Sequence, residues 1–126
     1  IPVVVSHYPP QKDGVEDEMT DEIEWASGTT HLHCTNAYPT SFKNLELKRV
    51  GDLPGGVCMG WSCHAFAGEA PELAGFAAAR GCRVFEFHFK DEKTRVDIPD
   101  SAVSLNEDEL TLAVEMIEKA IAAVGE

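Results

Sequence analysis

The chain has 126 residues, 44% of them hydrophobic, enough for one packed core at the usual size of a single domain. Its 22 acidic and 10 basic residues give a formal net charge of -12, so the basic face that nucleic acid or an anionic membrane requires is not expected. No apolar run approaches the ~20 residues of a membrane helix, and no signal-peptide pattern opens the chain, which predicts a soluble, cytoplasmic protein. It begins on Ile1 rather than Met, read as processing or truncation.

Apolar, β-branched runs alternate with helical patterns, the signature of parallel strands joined by crossover helices. The first strand is "PVVVS", residues 2–6, and "EDEMTDEIEWA" after it reads as an acidic helix ending at Trp25. The second strand is "THLHCTN", residues 30–36, followed by a segment with a helical middle that Pro54, Gly55 and Gly56 interrupt. The third is "VCMGWS", residues 57–62. Its helix covers roughly Glu69 to Arg80, with Leu73, Phe76 and Ala77 at core spacing and Gly81 as its stop. The fourth strand, residues 82–89, alternates: Phe85, Phe87 and Phe89 on the face toward the helices, Val84, Glu86 and His88 on the other. A last helix begins near Asn106, with Glu109 three residues on, and carries Leu110, Val114, Ile117, Ile121 and Val124 as its stripe. The expected fold is α/β: a single domain over 1–126 whose four βα units form a parallel sheet resembling half of a (βα)8 barrel, a fold that takes ~250 residues when whole.

In such sheets functional groups gather at the carboxyl ends of the strands. His64 and His88 each follow a strand by the same logic, and neighbouring parallel strands ~4.8 Å apart bring them to one rim. Ser62 shares the face of His64, and Glu86 that of His88. Two imidazoles beside a carboxylate suit Mn, Fe or Zn. His31 and His33, also one residue apart, read either as further metal ligands or as a strand-start histidine and a core histidine bonded to a carbonyl. Asn36 and Tyr38 offer an amide and a phenol to a polyhydroxylated ligand, although turn chemistry explains "TNAYPT" equally. Cys34, Cys58, Cys63 and Cys82 lack C-x-x-C spacing and are expected as buried free thiols.

"LHCTNAYPT" (Leu32 to Thr40), "GWSCH" (Gly60 to His64), "RVFEFHF" (Arg83 to Phe89) and "IPDSAVSLNEDEL" (Ile98 to Leu110) resemble, in order and spacing, the last four βα units of the sialic acid synthase family. The resemblance implies a barrel that condenses phosphoenolpyruvate with an N-acetylated amino sugar with the help of a divalent metal, Mn2+ or Mg2+, and releases phosphate. It places the metal on His64 and His88, the sugar contacts on Asn36 and Tyr38, phosphoenolpyruvate contacts on Ser62 and, at the end of the first strand, Ser6, and catalytic carboxylates on Glu86 and Asp100. Departures from the family's motifs are Cys63 in place of an aspartate, Phe87 in place of a lysine and Ser101 in place of a histidine. The family's first four βα units and its C-terminal domain have no counterpart here, so the chain is expected to act with a missing N-terminal half-barrel or as a homo-oligomer that covers its open sheet edges. Two other readings are open: a non-catalytic interaction or oligomerisation module, and a metal-dependent hydrolase built on His31, His33, His64 and His88.

Overall fold

The computed structural model describes residues 3–7, 29–53, 57–91, 93 and 97–125. The acidic helix expected before Trp25 lies outside the described residues. Strands β1 (Val3–His7), β2 (Thr29–His33), β3 (Gly51–Leu53), β4 (Val57–Ser62) and β5 (Phe85–Glu86) form one sheet; a two-residue pair, β6 (His88–Phe89) and β7 (Ser104–Leu105), stands beside it. Helices α1 (Ala70–Ala79) and α2 (Glu107–Val124) pack against each other. β1, β2, β4 and β5 pair in parallel in that order, as a half-barrel of βα units requires.

The register decides which residues share a face. Leu32 lies beside Gly60 and His33 beside Trp61; Phe85 lies beside Trp61 and Glu86 beside Ser62. Registered neighbours in a sheet point the same way, so Trp61, Cys63, Phe85 and Phe87 face the helices, while Ser62, His64, Glu86 and His88 belong to the other side. The helix-side core is built on Trp61, Cys63, Leu45, Val50, Leu73, Ala74 and Ala77, with Phe85 and Phe87 packed against it.

Local chemistry sets the helix ends. α1 stops in a Schellman arrangement: Gly81, at φ 103°, donates its N–H to Ala78 O at 3.0 Å, and Cys82 donates to Ala77 O at 3.0 Å. At α2 the Asn106 side chain accepts from Glu109 N at 2.8 Å while Glu109 Oε2 accepts from Asn106 N at 3.0 Å, a complete capping box. Asn106→Ala is expected to lower stability by about 1 kcal/mol, read as a lower urea midpoint with unchanged slope.

Four expectations need correction. The run read as one strand over 82–89 is two short strands: Phe85–Glu86 stays on β4, while His88–Phe89 leaves it to pair with β7. The second strand stops at His33 rather than Asn36, because Ala37 N–H turns back to Thr35 O at 2.9 Å. The helical middle expected after it is two 3-10 turns, Phe42–Asn44 and Leu47–Arg49, and the antiparallel β3, which pairs with the first half of β4 and leaves the second half to β5. Phe76, Phe89, Val114 and Val124, placed on the core side by spacing, are exposed; Ala113 is the buried contact of α2 among the described residues.

Candidate functional site at the strand ends

His64 follows β4 by two residues and His88 follows β5 by two, so the pairing of Ser62 with Glu86 carries the histidines into register. Their ring centroids are 5.6 Å apart. One step deeper the Ser62 hydroxyl donates to Glu86 Oε1 at 2.6 Å, and Cys63 N–H donates to Glu86 O at 2.9 Å. These contacts tie the two strand ends together directly beneath the histidines.

The loop after β2 closes over this pair. Thr40 N–H donates to His64 O at 2.7 Å and the Thr40 hydroxyl to Ala37 O at 2.7 Å, which pins the loop on both sides of Tyr38. The Tyr38–Pro39 peptide is cis. The Tyr38 ring stacks on His64 with centroids 4.1 Å apart and meets His88 edge-on at 5.9 Å. Asn36 is exposed on the same loop. Asp100, in the 3-10 turn Pro99–Val103, brings its Oδ2 to 3.7 Å from His88 Nδ1.

Hydrogen bonding settles the His64 tautomer. Its Nδ1 is 2.7 Å from Thr35 O, and a carbonyl only accepts, so Nδ1 carries the proton and Nε2 keeps its lone pair. The Tyr38 hydroxyl is 3.1 Å from that Nε2. Burial holds the His64 pKa below its ordinary 6.5; the Thr35 carbonyl opposes this, His88 adds to it, and Glu86 and Asp100 oppose it. The ring is therefore neutral near pH 7, the form that can bind a cation. Cys34, buried on this face, has its Sγ 3.5 Å from His64 Nδ1 and 3.7 Å from Nε2. Neither that contact nor the Thr35 carbonyl was foreseen: a backbone acceptor has no residue signature, and Cys34 shares the parity of Leu32, which is informative only once the register with Gly60 is known.

Ser6 pairs with Leu32, which pairs with Gly60, so its backbone lies two residues short of the level of Ser62; its side chain lies outside the described residues. His31 and His33 are buried and share the face of Met59 and Trp61, away from His64. His33 Nε2 bonds the core residue Leu45 through its carbonyl at 2.7 Å, as expected of a core histidine. The hydrolase reading, which needs these histidines at the rim, has no support. Among the described residues no three His, Cys, Asp or Glu side chains converge as a metal cage, so His64 and His88 stand as a pair of donors. Cys34, Cys63 and Cys82 are buried, the Cys58 side chain lies outside the described residues, and burial pushes the Cys63 thiol up to about 12.

Burial also lowers the His33 pKa, more than its bond to Leu45 raises it. For His33 and His64 alike the folded state resists a proton that the unfolded chain accepts. The stability they contribute is therefore full above pH 6.5, the unfolded value, and is lost as pH falls through the folded values. Urea midpoints taken on either side of pH 6.5 should fall on the acid side, and His33→Gln, which keeps a donor for Leu45 O, should flatten part of that slope.

The parallel βα units, with a histidine pair at their carboxyl rim, form half of a (βα)8 barrel. Residues 16–126 match the model of the NeuB family, and the chain belongs to that family. It is 37% identical over 97 residues to the pseudaminic acid synthase of Campylobacter jejuni, an alignment covering 75% of this chain and 27% of that protein. To the N,N'-diacetyllegionaminic acid synthase of Legionella pneumophila it is 31% identical over 96 residues, covering 75% and 26%. The chain thus aligns with only about a quarter of the length of these relatives. Its fold superposes on a crystal structure of the N-acetylneuraminic acid (sialic acid) synthetase of Leptospira borgpetersenii in complex with citrate, with a TM-score of 0.78 at 23% identity, covering 100% of this chain and 44% of that one. A putative spore coat polysaccharide biosynthesis protein E of Chromobacterium violaceum gives 0.76 at 25% identity, covering 99% and 37%. No helix among the described residues is long and apolar enough to cross a membrane.

Proposed function

We propose that residues 1–126 act as one half-barrel domain of a synthase that joins phosphoenolpyruvate to an N-acetylated amino sugar, giving a sialic acid-type product such as the pseudaminic or legionaminic acid named for its relatives. The observation that carries this reading is the meeting of His64 and His88, 5.6 Å apart, under Tyr38 and beside Asp100. His64 and His88 supply two of the donors that a divalent cation needs. The Thr35 carbonyl leaves His64 Nε2 with a lone pair, and Asp100, 3.7 Å from His88 Nδ1, favours the proton of that ring there. His64 and His88 would hold Mn2+ or Mg2+, and a bound cation would supply Lewis-acid polarisation of the open-chain sugar carbonyl.

The remaining roles are those that the family resemblance implies. Asn36 and Tyr38, on the loop over the histidines, bind sugar hydroxyls. Ser62 and Ser6 serve the phosphoenolpyruvate side. Glu86, which accepts the Ser62 hydroxyl, is assigned the proton exchange with the water that the reaction consumes. In balance, the enol carbon forms a bond to the sugar carbonyl carbon, water adds to the former enol-phosphate carbon, and phosphate leaves. Asp100 touches His88 and acts as its positioning residue. The other half of the barrel, on a partner or on the same polypeptide, completes the site. The test is phosphate release from phosphoenolpyruvate and N-acetylmannosamine or a diacetylated hexose, with Mn2+, after this chain is joined to the first-half segment of the Leptospira synthetase. Release that disappears in His64→Ala supports the reading; no release above that of the first half alone overturns it.

A further inference from the structure

We propose that Tyr38 is a removable cap on the His64 ligand nitrogen, so that cation binding and the Tyr38–His64 hydrogen bond exclude each other. The inference rests on the reading of His64 as a metal ligand. Nδ1 of His64 is committed to Thr35 O at 2.7 Å, which leaves Nε2 as the ring's sole lone-pair nitrogen, and the Tyr38 hydroxyl is 3.1 Å from it. A lone pair that accepts from a phenol cannot at the same time bind a cation. The tyrosine ring also lies on the face of His64, centroids 4.1 Å apart, and edge-on to His88 at 5.9 Å, so the phenol is held close to both histidines.

The cap is held by its loop yet able to leave. Thr40 fixes the backbone through His64 O and Ala37 O, while the Tyr38 side chain is 43% exposed and can turn outward into water without emptying a core. Turning out breaks one hydrogen bond to a neutral nitrogen, and that loss is subtracted from cation affinity. Removing the hydroxyl while keeping the ring should therefore tighten cation binding roughly two- to ten-fold, the equilibrium worth of one such bond.

The experiment is calorimetric titration of the whole chain with Mn2+ alone, for the unsubstituted protein, Tyr38→Phe and His64→Ala, with circular dichroism and thermal melts to show that all three are folded; Tyr38→Leu serves as a second variant if Tyr38→Phe melts early. Tighter binding in Tyr38→Phe, with binding lost in His64→Ala, is the expected result. Detectable binding in Tyr38→Phe alone supports the cap more strongly still. Binding that needs His64 but is unchanged or weaker in Tyr38→Phe overturns the cap and leaves the metal reading standing. Binding indifferent to His64, or none in any variant, overturns both.

Discussion

Trp61→Ala should lower the stability of the chain by about 3–5 kcal/mol, a large part of the 5–15 kcal/mol that holds a typical domain together. Trp61 is 1% exposed, packs in the core with Leu45, Val50 and Ala74, and meets Phe87 edge-on at 6.4 Å. It lies on β4, the strand that pairs with β2, β3 and β5, so the cavity would open where the helix layer meets the centre of the sheet. The neighbouring Gly60→Ala should be damaging by the opposite route. A Cβ at Gly60 would stand 2.5 Å from Leu32 Cδ2 and 2.5 Å from Val84 O, and Val84 O is the acceptor for Trp61 N–H at 2.9 Å. The side chain of Leu32 can yield; the backbone of the next strand yields only by moving, and it leads into Glu86 and His88. Urea unfolding followed by circular dichroism checks both. A loss below about 1 kcal/mol for Trp61→Ala would show that the helix layer does not rest on β4.

The parts of the fold that declare themselves in the sequence are those fixed by local chemistry. Gly81 stops α1 because its φ of 103° is open to glycine, and Asn106 with Glu109 starts α2 because each side chain satisfies the other's backbone N–H. The face assignment of Phe85, Phe87, Glu86 and His88 also follows from alternation alone. What alternation cannot reveal is a change of partner: residues 85–89 keep their parity while passing from β4 to β7, so the break in the strand leaves no mark in the residues. The segment between β2 and β4 is similar. Its middle reads as helical in the sequence, but Glu46 adopts a left-handed φ of 50° and divides the run into two short turns before β3.

The candidate site shows the same division between what is local and what is not. His64 and His88 are found from sequence because each stands at the tail of a strand-like run; in the structure both fall two residues past β4 and β5, and the parallel register converts equal offsets into proximity. His31 and His33 have the same H-x-H attraction, yet the register places them with Met59 and Trp61, on the face of the helices. A shift of one residue in the pairing of β2 would reverse that outcome, which is why spacing alone left two readings of these histidines. The groups that prepare His64, the Thr35 carbonyl and the Tyr38 hydroxyl, come from a loop whose path is set by hydrogen bonds to β4's extension rather than by any residue pattern.

His88→Ala should abolish saturable Mn2+ binding, whereas Asp100→Asn should weaken it by roughly 10- to 100-fold, the usual effect of removing a group that orients a metal-binding histidine. The two residues differ in what they touch. His88 offers a ring nitrogen to the rim shared with His64, 5.6 Å between centroids, and alanine offers nothing in its place. Asp100 stands beside that ring, its Oδ2 3.7 Å from Nδ1, where a carboxylate favours the proton and so leaves Nε2 with the lone pair. An asparagine there keeps the size and loses the charge, so the ring turns or changes tautomer more readily and the donor pair is populated less. The 15N spectrum of labelled histidine separates this from general damage: in Asp100→Asn the His88 signals should move toward a mixture of tautomers while those of His64, fixed by Thr35 O at 2.7 Å, stay in place. Equal loss of Mn2+ binding in both variants, with the His88 tautomer unchanged in Asp100→Asn, would mean that Asp100 acts on the cation itself and not through the histidine beside it.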